Sequence, residues 1–243
     1  MQIIKLSATE STNTFLKALA SKENLKDFTV VIAEKQTMGR GQRNSFWDSE
    51  QGKNLTFSVL KLFKNFAVQD QFLISVCVSL AVYKTLVALE IPNCRVKWPN
   101  DILSGNSKIC GILIENSISG FQITSSIIGI GLNVNQITFK NEPKAASLYS
   151  LLGHELDLEN LLKAILTNLK AYLLNVNANN WNSLLNEYHN ALFQKGVPCK
   201  FDAENGTLLH GTILGITKSG KLKIGLDGGV VCEYGFKEIS LRY

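Results

Sequence analysis

The sequence predicts an α+β protein in two parts, on three observations. Short β-branched and alternating runs recur through the first 133 residues, helical spacing of apolar residues dominates 145–190, and short β runs with glycines return from about 194. A larger unit over residues 1–190, with a mixed sheet and flanking helices, followed by a small β-barrel over residues 194–243, fits this texture. A chain of 243 residues has room for both.

Taken in order, residues 3–6 read as a short strand, and Ser11-Thr12-Asn13 opens a helix carrying Phe15, Leu16 and Leu19. The β-branched run 29–34 is a core strand, and 54–62 is its returning partner. A long helix spans 67–90, and a short strand at 95–98 stops at Pro99. Residues 108–115 and 122–133 form an antiparallel pair around Gly120. The stretch 145–190 is helical, with one stripe from Leu158 through Tyr172 and another from Trp181 through Tyr188; both are core rather than ligand surface. Strands are expected at 197–201, 207–216, 221–226, 230–234 and 238–241, with a tight turn at Asp227-Gly228-Gly229.

Composition narrows the function classes. With 45% hydrophobic and 19% charged residues the chain is ordinarily globular, and its net charge of +5 fits small anions or an acidic protein partner. There is no dense Lys/Arg block of the kind nucleic-acid binding uses. Five cysteines (Cys77, Cys94, Cys110, Cys199 and Cys232), widely spaced and without C-x-x-C, read as free thiols in a reducing compartment. The N-terminus lacks a signal-peptide pattern, so a cytoplasmic location is expected. Residues 72–89 contain one charge, Lys84, and approach the length of a membrane span, but their helical spacing and polar interruptions predict a helix buried in the domain.

Two apparent nucleotide motifs fail on inspection. Residues 215–222 lack the Ser/Thr that ends a P-loop, and a strand rather than a helix follows; a hairpin is expected. Gly129-x-Gly131 lacks the third glycine of a dinucleotide fingerprint. His154, His189 and His210 have no metal-ligand spacing, and no nucleophilic triad presents itself.

What remains is an anion site. Gly39-Arg40-Gly41-Gln42-Arg43-Asn44-Ser45-Phe46-Trp47 places a guanidinium between two glycines, suited to forking onto a carboxylate or phosphate. Lys97-Trp98-Pro99-Asn100-Asp101, then Lys108 through Glu115, then Gly129 through Asn135 follow in that order. An enzyme that activates a carboxylic acid must bring a carboxylate against the α-phosphate of ATP, two anions that repel. Its work is positioning and neutralisation, with no protein nucleophile. Arg40 and Lys108 suit that work, and Asp101 suits orienting or deprotonating an incoming amine, or holding Mg2+. Taken singly, Lys108 is equally a solvated strand-end lysine, Asp101 an Asx-turn residue, and Trp47 and Trp98 core side chains.

Together these runs, in this order, resemble the catalytic domain of biotin protein ligases, over nearly the whole chain from Ser11 to Arg242. The resemblance implies a mixed-sheet, class II synthetase-like domain of the biotin/lipoate ligase type, a C-terminal SH3-like β-barrel, and synthesis of biotinyl-5′-AMP from biotin and MgATP. Transfer of biotin to a lysine of a biotin carboxyl carrier domain follows. It implies that Ser11, Thr12, Asn13 and Gln36 meet the biotin head; that Gly39, Arg40, Gly41 and Gln42 fold over the ligand; and that Lys108 and Gly111 approach biotin. Arg40, Gln42, Trp47, Lys97, Asn100, Lys108, Asn133 and Arg242 are implied around the nucleotide, with Arg40, Lys108 and Asp101 at the reacting atoms. Mg2+ is expected to arrive on ATP, with Asp101 as its one protein candidate.

There are departures. Many relatives carry a second arginine where this chain has Gln42, which puts tight retention of the adenylate in question; Arg43-Asn44 stands where glycine is common. About ten residues precede Ser11, too few for an N-terminal DNA-binding domain, so the short monofunctional type, without specific DNA binding, is expected. Both monomer and homodimer fit. The competing readings are a lipoate ligase, a non-enzymatic biotin or nucleotide sensor, and a repressor.

Overall fold

The computed structural model describes residues 1–42, 45–139, 142–174, 176 and 180–243. The Arg43-Asn44 departure lies outside them. The larger sheet comprises β1 (Ile3–Thr9), β2 (Val30–Gln36), β3 (Leu55–Ala67), β4 (Cys94–Lys97), β5 (Asp101–Ser104), β6 (Ser107–Ser119) and β7 (Gln122–Leu132). Its order is β1-β2-β3-β7-β6-β5-β4. Only β1 and β2 are parallel, joined by helix α1 (Thr12–Lys22); every other pairing is antiparallel. The sheet is thus mixed, as expected.

Alternation along the central strands sends successive residues to opposite faces. Val30, Val59 and Ile128 enter the main core; Val31, Leu60 and Ile127 face α1 and pack with Leu16. Helix α2 (Gln71–Ala88) is apolar almost all round because it is covered on most sides, by the sheet, α4 (Leu158–Leu174) and α5 (Trp181–Ala191). The segment Val68–Ala88 is long and apolar enough to span a bilayer, yet 61% of it is buried within the fold. That matches the core helix read from the sequence.

Two expectations need correction. Residues 101–104 form a strand, β5, that the sequence did not announce: it is four residues long, pinned between the Pro99 turn and Gly105. The stretch 145–190, expected to be helical throughout, is interrupted: its described residues form α3 (Leu148–Leu152), α4 and α5. Gly153, in the left-handed region at φ 78°, closes α3 while its N–H donates to Tyr149 O.

The second sheet holds β8 (Pro198–Ala203), β9 (Leu208–Ile216), β10 (Leu222–Leu226), β11 (Val231–Tyr234) and β12 (Ile239–Arg242), all antiparallel, in the order β11-β10-β9-β8-β12. The sheet is consistent with an SH3-like unit, but the expected closed β-barrel is corrected to an open sheet, because β11 and β12 remain unpaired edges. Residues 215–222 are indeed a hairpin. This sheet does not have a core of its own: Phe201, Ile213, Ile224 and Ile239 belong to the same apolar cluster as Tyr188, Trp98 and α2. Trp98 Nε1 donates to Gly220 O across the junction at 2.8 Å, and a side chain at Gly220 would collide with the Phe72 ring.

His189 on α5 is the polar clasp of that junction. Its Nε2 accepts the Ile216 N–H at 2.9 Å, which requires that nitrogen to be unprotonated. Burial, then Lys195, then Lys223 hold its pKa below the ordinary 6.5. A base with a depressed folded pKa stabilises the fold fully above the unfolded value, and that contribution is lost as pH falls through the folded one. The melting temperature should therefore decline as pH drops below 6.5. The decline should be shallower in His189→Gln, whose carbonyl accepts without titrating. Parallel pH slopes in thermal melts of the two proteins would refute the clasp.

Candidate functional site

The site lies on the α1 face of the larger sheet, where the register leaves a bare floor. Gly129 and Gly131 share that face with Ile127, at the strand period of two. Across the ladders Gly129 pairs with Leu113 and Ser58, while Gly131 pairs with Gly111 and Thr56; Gly111 in turn pairs with Asp101. Helix α1 covers Ile127, and its N-terminus ends over Gly129. A Cβ at Gly129 would strike the Asn13 amide, standing 3.0 Å from Cγ. Beyond that point the sheet is open, and a cleft of about 90 Å3 occupies the gap.

The first wall is polar and buried. Ser11, Thr12 and Asn13 are each no more than 4% exposed at the start of α1. Gln36 Oε1 accepts from Thr12 N (2.8 Å) and Thr12 Oγ1 (3.1 Å). Ser58 Oγ lies 2.7 Å from Thr12 Oγ1 and 2.6 Å from Asn13 Oδ1. Asn13 Nδ2 donates to Leu113 O (3.3 Å) and Glu115 Oε2 (2.8 Å). Side chains so interlocked present fixed donors and acceptors to whatever fills the cleft.

The second wall is the glycine-arginine loop, which forms a small hairpin. Trp47 N donates to Gly39 O (2.8 Å), Gly41 N to Ser45 O (2.7 Å), and Arg40 bridges Phe46. Gly39 does not line the cleft; it lies beneath Trp47 O and the Gln36 amide, where a Cβ would not fit. Arg40 Nη2 reaches Glu115 Oε2 at 3.0 Å. The Trp47 ring rests on the glycine floor. A methyl at Gly131 would stand 2.7 Å from its Cζ2 and Nε1, and one at Gly111 would stand 3.0 Å from Cζ3 and 3.4 Å from Lys108 Nζ. The expectation that Gly111 serves close approach of a ligand is thereby modified: its open face seats Trp47 and Lys108. Trp47 Nε1 is shielded from solvent without a hydrogen-bond partner, an arrangement that disfavours this seat.

Lys108 stands between two clefts. Its Nζ lies 5.6 Å over the Trp47 ring and 2.7 Å from Asp101 Oδ1. Asp101 Oδ1 is shielded from solvent and meets the ammonium in ion-pair rather than aligned hydrogen-bond geometry. Lys97 Nζ lies 3.6 Å from the other carboxylate oxygen. A second cleft, lined by Lys97, Asn100, Asp101, Lys108 and Gln42 on one side and Phe236, Ser240 and Leu241 on the other, opens between the two sheets. Asn100 and Asn133 are committed to the backbone. Asn100 Nδ2 donates to Ile112 O (3.0 Å), and Asn133 Nδ2 to Ala146 O (3.0 Å). Both still border the first cleft.

Sixteen residues carry the sequence expectations, and most converge on these two clefts. Arg242 does not: its Nε donates to both Asp202 oxygens (2.8 and 2.7 Å) on the exposed outer edge, and it borders neither cleft. Asp101 as a Mg2+ ligand is also disfavoured, because two ammonium groups already flank it. Among the described residues no three His, Cys, Asp or Glu side chains gather around a common point. Sequence reading missed Ser58 and Glu115. For Glu115 a signal existed: it is in phase with Gly111 and Leu113 and directly follows the apolar run from Ile109 to Ile114.

Comparison with known proteins identifies relatives of the chain and of its fold. The model of the biotin/lipoate A/B protein ligase family matches residues 6–133, more than half of the chain. A biotin--[acetyl-CoA-carboxylase] ligase from Paracoccus denitrificans is 30% identical over 225 residues, covering 89% of this chain and 91% of that protein. The bifunctional ligase/repressor BirA of Bacillus spizizenii is 29% identical over 214 residues, 86% of this chain, but the match spans only 65% of that longer protein. Among solved structures, the biotin protein ligase of Aquifex aeolicus in complex with biotin and ATP superposes with a TM-score of 0.83 at 27% identity, covering 99% of this chain and 98% of that one. The chain belongs to the biotin/lipoate A/B protein ligase family.

Proposed function

We propose that this chain is an ATP-dependent biotin protein ligase acting on a biotin carboxyl carrier domain. The observation that carries the reading is the convergence of Arg40, Lys108 and the buried Ser11–Asn13 wall on one cleft over a glycine floor. In the first step the biotin carboxylate attacks the α-phosphorus of ATP, and pyrophosphate leaves carrying the charge. Arg40 and Lys108 neutralise the approaching anions from opposite sides. Mg2+ enters with ATP as part of the substrate. In the second step the carrier's lysine amine attacks the biotinyl carbonyl, AMP leaves, and a proton is lost. Asp101, at the mouth of the second cleft, orients or accepts from that amine.

The ureido head of biotin, with donors and an acceptor of its own, suits the Thr12-Asn13-Gln36 wall. Residues 1–190 carry the chemistry, and the SH3-like unit 194–243 forms the far wall of the second cleft. The five free thiols suit the reducing cytoplasm. The test is exchange of labelled pyrophosphate into ATP, which should depend on biotin and be weak with lipoate. Equal or greater exchange with lipoate would favour a lipoate ligase instead.

Loop 39–52 should respond to ligand, because the orphaned Trp47 Nε1 marks a seat that the loop leaves at little loss. Amide exchange across it should slow on adding biotin and ATP; unchanged exchange would refute a ligand-ordered loop. Gln42 bounds both clefts. A neutral amide binds phosphate about half as strongly as a guanidinium, or less. Biotinyl-AMP should therefore dissociate several-fold more slowly from Gln42→Arg than from the native chain. Equal rates would leave Gln42 as a loop residue with no ligand role.

A further inference from the structure

We infer that Glu115 is a positioning residue for acid activation, acting from behind the wall of the first cleft. This rests on the biotin-ligase reading and deepens it. Glu115 does not border the cleft. It reaches the cleft through two residues that do: one oxygen, Oε2, receives Asn13 Nδ2 at 2.8 Å and Arg40 Nη2 at 3.0 Å.

The Glu115 carboxylate is 24% exposed, more buried than a typical surface ion-pair partner, and Asn13 is 3% exposed. An exposed pair standing alone would carry little meaning. Here the shared oxygen closes a chain from Ser58 on β3, through Asn13 on α1, to Glu115 on β6 and Arg40 on the loop. The Asn13 amide has one arrangement in that chain: Oδ1 meets Ser58, and Nδ2 meets Glu115 and Leu113 O. Gly129 leaves the space this arrangement needs.

The consequence is geometric. Glu115 fixes which way the Asn13 amide faces, and it engages one Nη of Arg40, leaving the guanidinium's other donors for an anion. Asn13 belongs to the wall assigned to the head of the acid substrate; Arg40 belongs to the loop assigned to its carboxylate. One carboxylate therefore sets the relative placement of the two groups that grip opposite ends of the same molecule. Displacement of about 1 Å in such a constellation costs on the order of 100-fold in rate.

The experiment uses the intact chain and four variants: Glu115→Ala, Glu115→Gln, Arg40→Ala, and Arg40→Ala combined with Glu115→Ala. The readouts are kcat and KM for biotin-dependent pyrophosphate exchange, with thermal melting alongside. Glu115→Ala should lower kcat by about 10- to 100-fold with a smaller change in KM for ATP. Glu115→Gln, whose carbonyl oxygen can take both donors, should recover most of the loss. On the Arg40→Ala background the Glu115→Ala loss should shrink several-fold, because part of the effect passes through Arg40. Wild-type kcat in Glu115→Ala, or losses that simply multiply, would overturn this inference while leaving the ligase reading intact. Loss in both Glu115 variants that tracks falling melting temperature would also overturn it, in favour of a merely structural role. Absence of biotin-dependent exchange in the unmodified chain would overturn the ligase reading, and this inference with it.

Discussion

Replacing Arg40 with alanine should reduce biotin-dependent pyrophosphate exchange by a factor on the order of 100–1,000, equivalent to about 2.7–4 kcal/mol of transition-state stabilisation. The loop backbone should survive, since its hairpin is closed by Gly39, Gly41, Ser45 and Trp47 main-chain bonds. What disappears is the Arg40 guanidinium, which reaches from the loop to Glu115 on the β6 wall. Transfer of biotin from preformed biotinyl-AMP should fall far less, because the charge that Arg40 offsets has by then left with pyrophosphate. Exchange at the wild-type rate, or equal damage to both steps, would remove Arg40 from the first half-reaction.

Lys108→Ala should injure both steps, each on the order of 100-fold. Lys108 lies where the two clefts meet, and its ammonium is the near partner of Asp101 at 2.7 Å, with Lys97 more distant at 3.6 Å. Removing it deletes a positive charge beside the reacting carboxylate and releases Asp101 from its nearest partner. Lys108→Arg should not restore activity. A planar fork does not replace a compact ammonium in the space between the Trp47 ring and Gly111. Pyrophosphate exchange and single-turnover transfer from biotinyl-AMP, measured on the same preparation, would separate this pattern from that of Arg40. Loss confined to exchange would contradict a shared role.

Much of this site was legible in the chain because its parts are local. A guanidinium between glycines, a polar helix start, and paired glycines on a strand announce themselves within a few residues. Features made by register were not legible. Asp101, Gly111 and Gly131 form one row only because two antiparallel ladders align them. The seat of Trp47 on two glycines from different strands follows from that row. Glu115 was visible as an in-phase carboxylate, but its two partners lie 102 and 75 residues away in sequence. Arg242 shows the opposite failure: a residue assigned to the nucleotide by resemblance turns outward to Asp202, because β12 is the edge strand beside β8. The end of α3 was carried by Gly153, whose left-handed backbone stops that helix ahead of α4. The shared core of the two sheets could not be read from composition, since each sheet's strands alternate as they would in an independent unit.

The central claim is that this cleft activates biotin and passes it to a carrier lysine. Its most direct test is incubation of the chain with biotin, MgATP and a biotin carboxyl carrier domain, followed by mass spectrometry of the carrier. A single lysine bearing one biotinyl group, formed only when ATP is present and abolished in Lys108→Ala, is the predicted result. An unmodified carrier with the native chain, or ATP-independent modification, would contradict it.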